Sequence, residues 1–237
     1  MQIVSHLKQK SMDNQESNLI YLGIDVAGAS NTWVSGLSQK NGHLEIVFEP
    51  HSTSLEKIVN FCKENHVIGA AIDAQLTMSL QAKTGFRESD GQLRKLLPPD
   101  CRNWVASVNS LMAVPVRGRF LSDFLAPIVG TIIETHPRAS LLFGLGKVAD
   151  TAVRKYKKSD DDKHLNILWE NWSQRFNILS NSSINDDGAL DAIVCATVAY
   201  LYHHKPETLL RLRENISDIR GRGPFYVLVP AFKQNGG

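Results

Sequence analysis

The sequence of 237 residues predicts an α/β fold in which a mixed sheet of five strands is flanked by helices. Three observations predict it. Three strand-like segments follow one another across short turns, a helical segment comes next, and a further apolar strand returns after that helix. A strand that returns parallel within one sheet needs such a crossover helix, so the order predicts three antiparallel strands followed by parallel ones.

The first three strands are separated by turn residues. Segment 20–26 is apolar and carries an acid at its end, and segment 32–37 follows a turn of small residues. Segment 43–49 follows Asn41-Gly42, a strong signal for a two-residue hairpin turn. These segments therefore predict consecutive antiparallel strands.

The crossover helix and the fourth strand come next. Segment 54–65 has the spacing of one helix face, and Ser54 is placed to cap its start. The apolar positions of this face are Leu55, Ile58, Val59 and Cys62. Segment 67–73 is an apolar strand that again ends on an acid, and we expect it to share the sheet with the first strand.

The remaining chain is predicted to add helices and further strands. A less regular region, residues 75–127, predicts a helical insertion with one helix at 88–97. Segment 129–134 is another apolar strand that ends on an acid. Segment 187–204 is typical of a long apolar helix, and segment 225–229 is one more strand candidate.

The composition is that of an ordinary globular protein, with 43% hydrophobic and 21% charged residues. We expect residues 19–237 to form a single domain and the polar residues 1–18 to form a flexible tail. No apolar run is long enough to span a bilayer, so no membrane partner is expected. Three cysteines outside any paired motif favour a reducing compartment, and hence a cytoplasmic protein without a zinc ribbon. The net charge of +2 does not decide whether a nucleic acid is bound.

Carboxylates recur at the ends of the predicted strands. Asp25, Asp73 and Glu134 each occupy that position. Ligands of open α/β sheets bind beyond the carboxyl ends of the strands, so acids placed there converge on one region. Each acid taken singly could also be a turn or capping residue.

The late helix adds a fourth acid in an unusual setting. Asp191 interrupts an apolar stretch that is typical of a buried helix, and Asp187 lies one turn earlier on the same face. Asp186 is expected to cap the helix, and Asp187 could do the same. Like charges this close repel each other, and a divalent cation is the usual way to relieve that repulsion.

Hard oxygen ligands without a histidine and cysteine set favour Mg²⁺ or Mn²⁺ over zinc. Two such ions about 3.5–4 Å apart can activate a water and stabilise the leaving oxygen in phosphodiester cleavage. We therefore expect a site of two ions. Its predicted ligands and catalytic acids are Asp25, Asp73 and Asp191, with Asp187 and Glu134 as further candidates.

Five short motifs in a fixed order carry a family resemblance. They are GIDVAG at 23–28, AID at 71–73, RESDGQLR at 87–94, IETHPR at 133–138 and LDAIVCA at 190–196. On these motifs residues 19–205 resemble an uncharacterised family of predicted RNase H-like nucleases, and the last helix is similar to that of RuvC-type junction resolvases. The resemblance implies an RNase H-like fold and a metal-dependent endonuclease with Asp25, Asp73 and Asp191 as ligands. The sequence departs from the resolvase pattern at Gly188, where an acid is expected.

Several basic residues and one histidine are further site candidates. His136 could shuttle a proton or orient the attacking water, or it could be a hydrogen-bonded turn residue. Four arginines could clamp phosphates, with surface salt bridges as the rival interpretation. These are Arg87, Arg94, Arg117 and Arg119. Lys155 and Lys157 flank Tyr156 and could follow a nucleic-acid backbone with the ring free to stack, although a charge run is usually a solvated face.

Three functions remain open from the sequence. The first is a metal-dependent nuclease that hydrolyses phosphodiester bonds of DNA or RNA with an activated water. The second is an ATP-binding enzyme of the actin, sugar-kinase and Hsp70 type, against which the lack of a duplicated domain and of a second phosphate loop argues. The third is a non-catalytic RNase H-like binding module. The oligomeric state is open, with a homodimer as one option.

Overall fold

The protein is described from a computed structural model that covers residues 19–78, 84–111, 113–158, 162–179, 183–213 and 224–230. The predicted tail, residues 1–18, lies outside the described residues. The strands are β1 (Ile20–Asp25), β2 (Thr32–Lys40), β3 (His43–Thr53), β4 (Val67–Asp73), β5 (Thr131–Thr135), β6 (Ile178–Leu179), β7 (Leu209–Arg211) and β8 (Phe225–Leu228).

Eight α-helices lie in the described part of the chain. They are α1 (Leu55–Glu64), α2 (Glu88–Leu96), α3 (Val108–Leu111), α4 (Ala113–Leu125), α5 (Pro137–Leu145), α6 (Asp150–Lys155), α7 (Lys163–Phe176) and α8 (Asp187–His204). Short 3₁₀ helices span Pro99–Trp104, Gly146–Val148 and Pro206–Thr208. Within these described residues no helix is both long and apolar enough to cross a membrane.

The strands form one mixed sheet in the order β6-β3-β2-β1-β4-β5-β8-β7. The predicted antiparallel start is confirmed, because β1 pairs antiparallel with β2 and β2 pairs antiparallel with β3. The predicted parallel return is also confirmed, since β4 lies parallel to β1 and β5 lies parallel to β4. The prediction of an α/β fold with a mixed sheet therefore holds.

The predicted number of five strands was too low, since the described sheet has eight. Segment 225–229 was recognised as a strand candidate and is β8. The other two additions, β6 and β7, are only two and three residues long. Such short runs at the sheet edges carry too few residues for an alternating pattern to be visible in a sequence.

Short-range sequence features determine how the strands of the first half of the sheet are connected. Asn41 and Gly42 both have positive φ angles, 51° and 81°, as the predicted tight turn between β2 and β3 requires. Ser54 caps α1 by accepting a hydrogen bond from the backbone N–H of Lys57. Helix α1 then buries Ile58 and its neighbouring apolar residues against the sheet and returns the chain to β4.

The two faces of the sheet carry separate cores. Alternation along the strands sends Tyr21 and Ala71 to the face that α8 covers, and Leu22 and Ile72 to the face beneath α1 and α4. Helix α8 packs across β1, β2 and β4, and its residues from 188 to 201 are all buried. At Gly23 a Cβ atom would overlap the backbone of α8, so this glycine sets how closely the helix approaches β1.

Candidate metal centre

The strand register places Asp25 and Asp73 side by side. They are the last residues of β1 and β4, and they are partners in the parallel pairing of these strands. Both lie in alternation with Gly23 and Ala71, so their side chains leave the sheet on the face covered by α8. Two carboxylates therefore point from neighbouring strand ends toward the same helix.

Helix α8, which covers this face of the sheet, contributes the third carboxylate. Asp191 lies in the second turn of α8 and is fully buried. One carboxylate oxygen each of Asp25, Asp73 and Asp191 lies within 4.8 Å of those of the other two. We call these three residues the carboxylate cluster. The close approach of α8 to β1 over Gly23 makes this convergence of strand and helix acids sterically feasible.

A lysine that the sequence placed among the substrate-binding candidates reaches into this cluster. Nζ of Lys157 lies 2.5 Å from Oδ2 of Asp191 and 3.7 Å from Oδ2 of Asp187. The preceding residue, Tyr156, donates a hydrogen bond from its hydroxyl to Oδ1 of Asp191 at 2.8 Å. The Tyr156 ring is only 3% exposed, so the expectation that it is free to stack on a base was wrong.

Burial and mutual repulsion make the cluster hard to ionise. Burial, followed by the charge of Asp191, raises the pKa of Asp25 to about 7. Burial and the neighbouring Asp25 raise the pKa of Asp73 well above its usual value. Burial also raises the pKa of Asp191, against the opposing attraction of Lys157. Burial by itself would lower the pKa of Lys157, but attraction to Asp191 and Asp25 raises it overall, so the lysine remains an ammonium.

One buried oxygen beside the cluster, Oγ1 of Thr135, has no hydrogen-bond partner within the described residues. Oδ2 of Asp191 is contacted by the Lys157 ammonium at 2.5 Å. Thr135 follows Glu134 at the end of β5, and continuing the β4–β5 register by one residue puts it level with Asp73 on the same face. Three hard carboxylate donors and one unsatisfied hydroxyl oxygen beside them fit a divalent cation such as Mg²⁺ or Mn²⁺.

Glu134, predicted to be a further ligand, has different partners. Its register partner in β4 is Ile72, one residue before Asp73, so Glu134 leaves the sheet on the opposite face. Its carboxylate receives two hydrogen bonds from Arg87, at 2.5 and 2.7 Å, and one from the backbone N–H of Leu76 at 2.9 Å. The structure thus pairs Glu134 with an arginine and leaves it outside the carboxylate cluster.

Arg87 is the centre of a second buried group, which we call the arginine network: Arg87, Asp90 and Glu134. The guanidinium donates twice to Asp90, twice to Glu134 and once to the hydroxyl of Thr77. An arginine has five N–H donors, and these bonds use all of them. Arg87 therefore has no free N–H group with which to bind a phosphate, as the predicted phosphate clamp would require.

His136 has a capping role in the structure. Its Nδ1 accepts a hydrogen bond from the backbone N–H of Ala139 and thereby caps α5, while Nε2 lies 3.3 Å from the carbonyl oxygen of Trp104. Burial lowers the pKa of His136 to about 4. Both ring nitrogens are thus engaged by the backbone in the neutral state, which does not suit the predicted proton shuttle.

The remaining basic candidates divide into two pairs. Arg94 donates to the carbonyls of Arg102 and Val105, and Lys155 is exposed. Arg117 reaches Thr32 Oγ1 at 3.2 Å, beside the end of β1.

Arg119 reaches the carbonyl of Gln75 at 3.4 Å, just beyond the end of β4. Within the described residues one buried nitrogen of each of these two arginines, Nε of Arg117 and Nη2 of Arg119, has no partner. Burial and the charge of Arg87 lower the pKa of Arg119. The two arginines therefore flank the carboxyl ends of β1 and β4 with unused donors.

The structure explains why residue 188 is a glycine. A Cβ atom at this position would collide with the indole of Trp33, so the acid of the resolvase pattern has no space here. Asp186 caps α8 through the N–H of Gly188, as predicted. Asp187 begins the helix with a side chain that is 43% exposed and close to Lys157, at the rim of the carboxylate cluster.

A cavity of about 210 Å³ adjoins both charged groups. Its walls include Asp73 and Lys157 on one side and Arg87 and Glu134 on the other, together with Thr135. Sequence reasoning missed Thr135, because its position becomes significant only once the strand register is known. It also missed the contact of Tyr156 with Asp191, which no local pattern signals.

Comparison of the chain with protein-family models, with curated proteins and with solved structures finds no match.

Proposed function

We propose that this protein is a metal-dependent nuclease of RNase H-like type, which hydrolyses phosphodiester bonds of a nucleic acid. One observation carries the proposal. Three carboxylates converge from β1, β4 and α8 to within 4.8 Å, and the Lys157 ammonium beside them balances only one of their three negative charges. Keeping three such carboxylates ionised near neutral pH costs free energy unless a cation binds to them.

The arrangement of the strands supports the same proposal. The five central strands lie in the order β3-β2-β1-β4-β5, with three antiparallel strands followed by a helix and two parallel ones. This is the order of elements that the family resemblance implies. The acids lie at the carboxyl ends of the two parallel strands at the centre, where ligands of α/β sheets bind.

Asp25, Asp73 and Asp191 would hold Mg²⁺ or Mn²⁺, which lowers the pKa of a bound water and neutralises charge on the phosphate. In the reaction the water oxygen forms a bond to phosphorus and the ester P–O bond breaks. The water gives up one proton and the leaving oxygen takes up one, so that a phosphate monoester and an alcohol result.

The two flanking arginines favour a phosphate-containing substrate. Arg117 and Arg119 lie beside the ends of β1 and β4, and within the described residues each has one buried nitrogen that donates no hydrogen bond. Guanidinium groups bind phosphate oxygens well because their donors match the geometry of the anion. We therefore assign to them the backbone phosphates next to the scissile bond.

The non-catalytic RNase H-like module is the alternative that one observation favours. Lys157 already supplies a positive charge to Asp191. A cluster neutralised by its own lysine could keep the fold without a metal. This alternative predicts neither metal binding nor cleavage.

Cleavage assays with matched variants test the proposal. Duplex, hybrid, branched and single-stranded nucleic acids are incubated with the protein and Mg²⁺ or Mn²⁺, and then with Asp25→Asn and Asp191→Asn. We expect cleavage to fall by more than about 100-fold in both, since even partners of metal ligands cost roughly 10–100-fold. Glu56→Gln, which changes an exposed carboxylate on α1, is the control and should cleave as the wild type does. Cleavage that survives both aspartate substitutions would exclude the assigned site.

A further inference from the structure

We infer that Lys157 takes the place of one of the two cations expected at this site, so that the protein binds a single divalent ion beside the Lys157 ammonium. The inference rests on the proposed function, because it concerns how the same carboxylate cluster holds its metal. It replaces the expectation of two ions with one ion and one built-in positive charge.

The contacts of Lys157 place its charge inside the site. Its ammonium lies 2.5 Å from Oδ2 of Asp191 and 3.7 Å from Oδ2 of Asp187. The Lys157 side chain is 31% exposed, and its charged end contacts these two acids. A second divalent ion bound between Asp191 and Asp187 would have to displace this ammonium.

The backbone that carries Lys157 is held in place by its neighbours. Tyr156 is buried and donates to the other oxygen of Asp191, so consecutive residues contact both oxygens of one carboxylate. Arg138 donates to the carbonyls of Val153 and Arg154, and its guanidinium lies over the Tyr156 ring. The lysine is therefore presented by an anchored segment and not by a long free loop.

A count of charges favours a single ion. The acids in question are Asp25, Asp73, Asp187 and Asp191, four negative charges if all are ionised. Lys157 and one divalent ion supply three positive charges, whereas Lys157 and two ions supply five and crowd three cations together. Without the lysine, two divalent ions would balance the four acids. Repulsion between like charges at such distances opposes the crowded arrangement.

Metal titration tests the inference without relying on catalysis. Free Mn²⁺ is measured by electron paramagnetic resonance as it is added to the wild type, Lys157→Met, Lys157→Arg and Lys155→Met. We expect one bound ion in the wild type. Lys157→Met should bind two ions, or bind its single ion roughly 10-fold more tightly or better, because a nearby positive charge is lost.

Two variants serve as controls. Lys157→Arg keeps the charge and should still bind one ion. Lys155→Met removes an exposed lysine of the same segment and should match the wild type. If Lys157→Met does not fold, Lys157→Gln gives the same comparison with a polar side chain of similar reach.

The outcomes separate the inference from the proposed function. Two ions in the wild type, or unchanged number and affinity in Lys157→Met, would overturn the role of Lys157 and leave the metal site intact. No bound ion in the wild type or in Lys157→Met would overturn both, and would favour the non-catalytic module. One ion that also persists with equal affinity in Lys157→Gln would again exclude the lysine as a competing cation.

Discussion

The carboxylate cluster and the arginine network are two groups of buried charge at the same end of the sheet. They lie on opposite faces, because Asp73 and Glu134 are offset by one residue in the β4–β5 register. In the arginine network every N–H of Arg87 is used, and Glu134 accepts from Arg87 and from the backbone. In the carboxylate cluster three acids share one lysine, whose ammonium balances only one of their three negative charges.

This difference indicates which of the two groups needs a ligand. Buried charges are tolerated when their hydrogen bonds are complete, and the arginine network meets that condition from within the chain. The carboxylate cluster does not, and burial together with its excess negative charge raises the pKa of Asp25 and Asp73. We therefore interpret the first group as structural and the second as functional. Substitutions should then affect the two groups in opposite ways.

The largest expected effect is in the arginine network. Arg87→Met leaves Asp90 and Glu134 buried without their cation, and we expect it to lower the free energy of unfolding by about 3–5 kcal/mol. Urea denaturation followed by circular dichroism measures the change. Arg94→Met is the matched control, and its loss should be about 1 kcal/mol because Arg94 bonds only to carbonyl oxygens.

A second substitution checks the reason for this loss. If unpaired buried charge is the cause, Arg87→Met combined with Glu134→Gln should be more stable than Arg87→Met alone. An Arg87→Met protein as stable as the Arg94→Met control would show that the network does not contribute to stability.

The contrast between the two groups also shows what a sequence can predict. Asp25 and Asp73 were found because an acid at the end of an apolar strand is a local signal, and β1 and β4 happen to be in register. The same signal at Glu134 was misleading, since the register that turns it to the other face depends on tertiary pairing. Thr135, which has the matching position, carries no charge and gave no signal.

Lys157 and Tyr156 mark the limit of local reasoning. They lie just beyond α6 in a charge run that is typical of a solvated face, and only the packing against α8 brings them to Asp191. The fold is easier to predict from the sequence than the site is. The hairpin turn, the cap of α1 and the crossover order all depend on residues that are close together in the sequence. The short strands β6 and β7 are formed by pairing across the fold and not by their own residues.

An intermediate effect is expected from pH and charge in the carboxylate cluster. The pKa of Asp25 is about 7 in the folded protein and near 3.8 without burial, so the folded state binds more protons between these values. Its contribution to stability should fall as the pH rises from about 4 to about 7 and stay low above that. Asp25→Asn should therefore stabilise the metal-free protein at pH 8 by about 1–3 kcal/mol, allowing for partial exposure of the group.

Thermal unfolding of the wild type and Asp25→Asn at pH 5 and pH 8, with chelator present, measures this difference. At pH 5 the difference between the two proteins should be clearly smaller than at pH 8, because Asp25 is still largely protonated in the folded protein. Millimolar Mn²⁺ should stabilise the wild type at pH 8 and leave Asp25→Asn nearly unchanged. An Asp25→Asn protein that is less stable than the wild type at pH 8 would contradict the excess of negative charge.

The smallest expected effect concerns Arg117 and Arg119, the two arginines beside the ends of β1 and β4. Arg117→Gln and Arg119→Gln should each weaken binding of nucleic acid by about 1 kcal/mol and reduce the slope of log K against log salt by about 1. Fluorescence anisotropy with catalytically inactive Asp191→Asn as the background measures both quantities without cleavage. Lys155→Gln is the control for charge alone. If Lys155→Gln lowers the affinity and the slope as much as Arg117→Gln does, the nucleic acid binds along the exposed lysines and not at the ends of β1 and β4. That result would contradict the phosphate contacts assigned to Arg117 and Arg119.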